Sequence, residues 1–181
     1  MLILASASPR RRELLGYITT DFEVVATDTD ETLPPGTPPD QGVQILALRK
    51  ARAVAAAHPQ AVVIGADTMV ALDGKIYEKP VDTADAARML RALSGREHLV
   101  HTGVAILSSR GEHVFSQETS VRFVQLSEAD IAAYVATGEP MDKAGAYGIQ
   151  GGGALFVSGI RGDFYNVMGL PVCRLAKELR P

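Results

Sequence analysis

An α/β fold built on a mixed, partly antiparallel sheet is what this chain predicts, and three observations carry that expectation. Short apolar runs suited to strands alternate with helix-patterned segments through the first half of the sequence. Residues 61–66 (AVVIGA) are a fully apolar run rich in β-branched residues, the mark of a central strand buried on both faces. Residues 98–107 and 112–124 flank the turn Ser108-Ser109-Arg110-Gly111 and predict a long antiparallel pair. With 181 residues, 46% hydrophobic and 22% charged, the chain suits one domain over 1–181 with a substantial core.

Each element has a local reason. Leu2, Ile3 and Leu4 open as a short strand. Ser8 is a good N-cap and Pro9 fits the first helical position, where its missing N–H costs nothing. The helix then runs to about Gly16 with Leu14 and Leu15 on its buried side. Phe22–Ala26 predicts a strand. Pro34, Pro35, Pro38, Pro39 and Gly36 forbid regular structure in residues 27–40, which become a lid or crossover loop. Val43, Leu46, Ala47, Val54 and Ala55 give residues 41–57 a helical pattern that Pro59 ends. The strand over 61–66 places Asp67 at its carboxyl end. Asp73-Gly74 then turns a hairpin between Met69–Leu72 and Lys75–Tyr77. Asp82 or Thr83 caps a helix to about Leu93, which Gly95 stops. Ser127 with Asp130 marks a capped helix to about Ala136. Residues 138–153 contain six glycines and little periodicity, so a loop is expected. Leu155–Val157 is expected as a strand, and Pro171 opens a last helix.

Composition excludes several classes. The net charge is −3, so the basic run Arg10-Arg11-Arg12 is local and there is no broad field for nucleic acid. Cys173 is the single cysteine, which excludes an internal disulfide or a cysteine zinc site and favours a reducing, cytoplasmic setting. The first apolar run is too short for a signal peptide, and no run reaches the length of a membrane span. His98 and His101 are three apart in a predicted strand and face opposite sides, so they cannot share a metal; His58 and His113 are likewise assigned to structure. Neither a Gly-x-Ser-x-Gly elbow nor a phosphate loop ending Gly-Lys-Ser/Thr occurs.

The chemistry starts at the first helix. Three arginines sit in a first turn whose dipole favours anions, where each exposed cation costs roughly 0.3–1 kcal/mol. A solvated basic helix face is one reading. The other is a polyphosphate cradle, with exposed amides and Ser6, Ser8, Arg10 and Arg11 around the anion. Carboxylates stand nearby in pattern: Asp28, Asp30 and Glu31 in the loop before the prolines, and Asp67-Thr68 after the central strand. Carboxylates and phosphates repel unless a divalent cation lies between them, and Mg²⁺ is typically held by one or two carboxylates plus substrate phosphates. Glu31 and Asp67 are the candidate ligands, and either can also orient a water. Lys50 and Lys79 are candidates for neutralising charge on phosphate. Lys143 to Gln150, joined by Glu78-Lys79-Pro80, is a further polar segment without a packing reason.

Assembled, these segments resemble the Maf family of nucleoside triphosphate pyrophosphatases. The matching blocks are Ser6-Ala-Ser-Pro-Arg-Arg-Arg-Glu-Leu-Leu15, Gly65-Ala-Asp-Thr68, Lys79-Pro80, Leu93-Ser-Gly-Arg96, Thr102-Gly-Val104, Asp142-Lys-Ala-Gly-Ala-Tyr-Gly-Ile-Gln-Gly151 and Asn166-Val-Met-Gly-Leu-Pro171, in the family's order. The resemblance implies metal-assisted cleavage of a nucleoside triphosphate to monophosphate and pyrophosphate, with Mg or Mn as the divalent cation. It implies an elongated α/β fold with two lobes around a cleft, like the inosine triphosphate pyrophosphatases, and commonly a homodimer. The block from Lys143 to Gln150 is similar to the branch acting on dTTP and UTP rather than the one acting on 7-methyl-GTP. In that branch Asp67 matches the catalytic acid/base position, and Arg10, Thr68 and Gln150 match positions tied to base choice. Glu78 departs from the family, which often has glycine there. The residue chemistry agrees, because an amide such as Gln150 can accept from N3–H of uracil or thymine and donate to O4. A non-catalytic nucleotide-binding regulator of septum formation is the alternative from another class.

Overall fold

Seven strands form one mixed sheet in the computed structural model, which describes residues 1–180. The chain runs through β1 (Leu2–Ala5), α1 (Pro9–Leu15), β2 (Glu23–Val24), α2 (Pro39–Ala55), β3 (Val62–Leu72), β4 (Lys75–Tyr77) and α3 (Thr83–Leu93). It continues through β5 (Glu97–Ser108), β6 (Gly111–Phe123), α4 (Glu128–Ala136), β7 (Val157–Arg161), α5 (Phe164–Met168) and α6 (Val172–Glu178). Strand order is β2-β1-β3-β5-β6-β7, with β4 also paired to β3. β1 is parallel to β2 and β3, and the remaining pairs are antiparallel, so the mixed α/β sheet is the one expected.

The helices cover both faces. On one, Ala47, Ala51 and Val54 of α2 pack against Ile3, Ala5, Val63, Ala105 and Leu107. A Cβ on Gly65 would lie 2.2 Å from the Ala47 carbonyl oxygen, so only glycine lets α2 settle this close to β3. On the other face, Leu14 and Leu15 of α1, Leu90 and Leu93 of α3, Ile131 of α4 and Leu175 of α6 close over Leu4, Ile64 and Val104. The predicted caps form: Ser8 accepts from Arg11 N–H, Asp82 from Asp85 N–H, and Ser127 and Asp130 make a reciprocal capping box.

Several expectations change. The strand expected over 22–26 shrinks to Glu23–Val24, an exposed edge with nothing to bury. The strand expected to end at Ala66 runs unbroken to Leu72, absorbing the first arm of the hairpin. Asp67 therefore lies mid-strand, in register with Gly103, and not at a carboxyl end. The ladder is made by backbone, so a charged side chain interrupts the apolar pattern without ending the strand. The strand expected over 155–157 begins only at Val157, because Gly151–Phe156 coils as a 3-10 segment. The loop at 138–153 holds further 3-10 turns at Glu139–Asp142 and Ala144–Ala146. α5, too short to set a period, was not expected; Asp163 caps it and Gly169 ends it.

His98 and His101 keep the structural role assigned to them. His98 is buried edge-on against Phe123 and Tyr147, and its Nε2 lies 2.8 Å from the Tyr147 hydroxyl. Burial pushes its pKa down to about 4. A histidine protonated in the unfolded chain but neutral in the folded one makes stability fall as pH drops from 6.5 toward 4. Between pH 7 and pH 5 this one group removes about 2 kcal/mol. Denaturant unfolding of His98→Gln at both pH values is expected to show a pH dependence flatter by that amount. An equal slope in both proteins would show that His98 is protonated in the fold.

Candidate functional site

β1 ends its pairing with β3 at Gly65, and β4 joins β3 only at Val70. Over Ala66–Met69 that edge of β3 has no neighbouring strand, and a cleft of about 1290 Å³ opens there. Its walls come from the α1 N-terminus, the loop from Glu31 to Thr37, Lys50, Lys79, the segment Asp142–Gly151 and the end of α5. That volume accommodates a ligand of nucleotide size.

Asp67 and Thr68 are neighbours on a strand and so point to opposite faces. On the α2 face, Lys50 Nζ lies 2.5 Å from Asp67 Oδ1 and 2.6 Å from Glu31 Oε1. The seating of α2 on Gly65 places Lys50 over the strand, and the crossover loop brings Glu31 back to it. The hydrogen bond from Lys50 holds the Glu31 carboxyl below its ordinary pKa. Asp67 is buried while the Glu31 side chain is largely open. The second oxygen of each carboxylate has no protein partner among the described residues.

On the opposite face the three arginines separate. Arg11 is a strut: Nε donates to Gly169 O, Nη1 to Ala66 O and Nη2 to Thr68 Oγ1, each at 2.9 Å. It thereby occupies a carbonyl at the open edge of β3 and ties α1 to the turn after α5. Arg10 is half-buried, lines the cleft and has no side-chain partner among the described residues. Arg12 is exposed and lies outside the cleft, because successive helical residues diverge around the axis. The cradle expected from three guanidinium groups thus has one free arginine and one arginine held by the protein.

The small polar residues are similarly divided. Ser6 is buried and its Oγ accepts from Ser8 N–H at 3.2 Å. Ser8 Oγ caps α1. Thr68 Oγ1 accepts from Arg11 and lies 2.9 Å from Thr102 Oγ1, whose own proton goes to Asn166 O. Thr68 must therefore donate to Thr102, leaving it no proton for a substrate. Asn166 is fully buried and donates to Val100 O and Thr119 Oγ1, so α5 is stapled to the sheet behind the cleft.

Lys79 lines the cleft, exposed and with no ion-pair partner among the described residues. The neighbouring Glu78 carbonyl accepts from Gly145 N–H and joins this turn to the segment 143–150. Lys143 is spent locally, donating to Glu139 O at 2.7 Å and Asp142 Oδ1 at 2.6 Å. Gln150 is exposed, lines the cleft and makes no side-chain hydrogen bond among the described residues. Sequence reasoning missed Glu139 and Tyr134. Tyr134 OH donates to Glu139 Oε1, Gly148 N–H donates to Tyr134 OH, and Gly152 N–H donates to Glu139 Oε2. Burial alone would raise the Glu139 carboxyl, but these donors leave it below its ordinary pKa. A tyrosine hydroxyl within a helix such as α4 leaves no periodic signal in sequence.

Among the described residues no group of three or more His, Cys, Asp or Glu converges as a metal site. The Glu31–Asp67 pair is the donor set available. Two carboxylates with free oxygens fit a hard divalent cation whose other ligands are waters and substrate phosphates.

Known proteins resemble this chain to different degrees. A Geobacillus sp. (strain WCH70) protein named dTTP/UTP pyrophosphatase is 53% identical over 179 residues, covering 99% of this chain and 96% of its own. One of the same name from Moorella thermoacetica is 53% identical over 180 residues, with 98% and 93% covered. In fold, the chain is similar to the Staphylococcus aureus Ham1 protein, with a TM-score of 0.50 at 20% identity over 67% of this chain and 71% of that one. That likeness is one of fold alone. The Maf-like protein family matches residues 1–181 from end to end, and the chain belongs to that family.

Proposed function

We propose that the protein hydrolyses dTTP and UTP to the nucleoside monophosphate and pyrophosphate. The observation that carries this reading is the buried Asp67, held by Lys50 beside Glu31, in a cleft that also presents the unpaired cations Arg10 and Lys79. Relatives sharing about half of the sequence carry the name dTTP/UTP pyrophosphatase, which favours those substrates over 7-methyl-GTP.

In this reading Arg10 and Lys79 receive the polyphosphate, with the α1 N-terminus beneath it. Asp67 takes a proton from water as the water oxygen bonds to the α-phosphorus. The bridging α–β bond breaks and pyrophosphate departs. Lys50 fixes the orientation of Asp67, and Arg11 holds the cleft wall by which phosphates lie. A divalent cation, Mg or Mn, would be held by Glu31 and Asp67 and would supply charge neutralisation on the phosphate oxygens. Gln150 meets the base edge. A homodimer and a cytoplasmic setting belong to the same proposal, and the exposed aromatic group Tyr17, Phe164 and Tyr165 gives a second copy something to cover. No helix among the described residues is long and apolar enough to cross a membrane.

A screen of pure NTPs and dNTPs for pyrophosphate release tests the reading. UTP and dTTP should turn over fastest, and chelation of divalent cations should abolish turnover. Binding of nucleotides with no turnover of any would replace the enzyme by a nucleotide-binding regulator.

A further inference from the structure

Gln150 has no side-chain partner of its own among the described residues, so its position is set by the backbone on either side of it. That backbone is pinned at two points, each two residues away. On one side Gly148 N–H donates to the Tyr134 hydroxyl at 3.0 Å. On the other, Gly152 N–H donates to Glu139 Oε2 at 3.0 Å. The two anchors are themselves joined, Tyr134 OH donating to Glu139 Oε1 at 2.8 Å. Lys143, which begins the segment, is held at 2.7 Å by the carbonyl of the same Glu139.

The glycines show that this packing is built in. A Cβ on Gly153 would lie 2.2 Å from Gly148 O and 3.0 Å from the Tyr134 hydroxyl. One on Gly151 would lie 2.8 Å from Glu139 Oε2, at a φ of +82°. The glycine tract is thus shaped to wrap the tyrosine–glutamate couple. The Tyr134 ring lies edge-on to Phe156 at 4.9 Å, anchoring the couple in the core.

We propose that Tyr134 and Glu139 are positioning residues for base selection, acting through Gln150 by clamping the backbone at Gly148 and Gly152. The inference rests on the reading of Gln150 as the base-contacting residue. Neither side chain is required to touch the nucleotide. Loss of the clamp lets residues 148–152 drift, which weakens a directional contact to the base edge more than it weakens the less directional attraction between cations and phosphate.

The test compares kcat/KM for UTP and CTP in wild type, Tyr134→Phe, Gln150→Ala and the double variant. Tyr134→Phe keeps the ring on Phe156, and thermal unfolding checks that the fold is intact. The UTP/CTP ratio is expected to fall about tenfold in Tyr134→Phe, the scale of one unsatisfied partly buried hydrogen bond. The loss should fall on UTP, whereas a merely structural lesion lowers both nucleotides together. In the Gln150→Ala background, Tyr134→Phe should lower the ratio no further. Glu139→Gln, which keeps the size but only one of two acceptors, should reproduce the loss by a second route. If Gln150→Ala loses the preference while Tyr134→Phe and Glu139→Gln both keep it, the clamp is overturned and the underlying reading stands. A wild type without preference for UTP over CTP overturns both.

Discussion

Asp67→Asn is expected to keep the fold and lose about 10²–10⁴-fold in kcat, the usual contribution of a positioned general base. The fold should survive because Asp67 pairs with Gly103 through backbone, and the amide matches the carboxylate in size. Its oxygen can still accept from Lys50, which also keeps its bond to Glu31. What is lost is the capacity to take a proton and half of the charge available to a cation between Glu31 and Asp67. Circular dichroism and thermal unfolding should match wild type while UTP turnover collapses. A variant retaining more than roughly a tenth of wild-type kcat would take the base role away from Asp67.

Gln150→Glu should collapse the preference for UTP over CTP. The substitution keeps length but replaces the amide donor with an acceptor facing the base O4 at neutral pH. The lost bond and the new repulsion together cost about 1–3 kcal/mol for each unsatisfied group. The effect should appear mostly in kcat/KM for UTP and dTTP, while CTP gains slightly because a carboxylate can accept from its amino group. Gln150 is exposed and shares no hydrogen bond with Asp67, Lys50 or Glu31 among the described residues, so the chemistry should be preserved. An unchanged UTP/CTP ratio would mean that Gln150 only shapes its loop.

Local signals in the sequence located the elements whose stability is itself local. Ser8 and Ser127 are caps as expected, Asp82 is the cap of the two alternatives Asp82 and Thr83, and the turn at Asp73-Gly74 forms. The long hairpin of β5 and β6 follows from alternation on a sheet and was equally legible. Strand ends were less so, because hydrophobicity does not record where a backbone ladder continues, as β3 shows at Asp67. Candidate site residues are legible by type, but the partners that hold them are not. Arg10 and Arg11 look alike in sequence, yet one is free while the other is bound to Gly169, Ala66 and Thr68, up to 158 positions away. Lys143, in the polar segment singled out by sequence, lines the cleft while its ammonium donates to Asp142 and Glu139. The partners of Arg11 are set by tertiary approach and no window along the chain contains them, whereas those of Lys143 lie one and four residues away and depend on the local turn.

The central claim is that this cleft breaks the bond between the α and β phosphates. The most direct measurement is the identity of the first products from UTP, followed by phosphorus NMR with purified protein and a divalent cation. UMP and pyrophosphate appearing together from the earliest time points is the predicted result. UDP and orthophosphate as the primary products would contradict it.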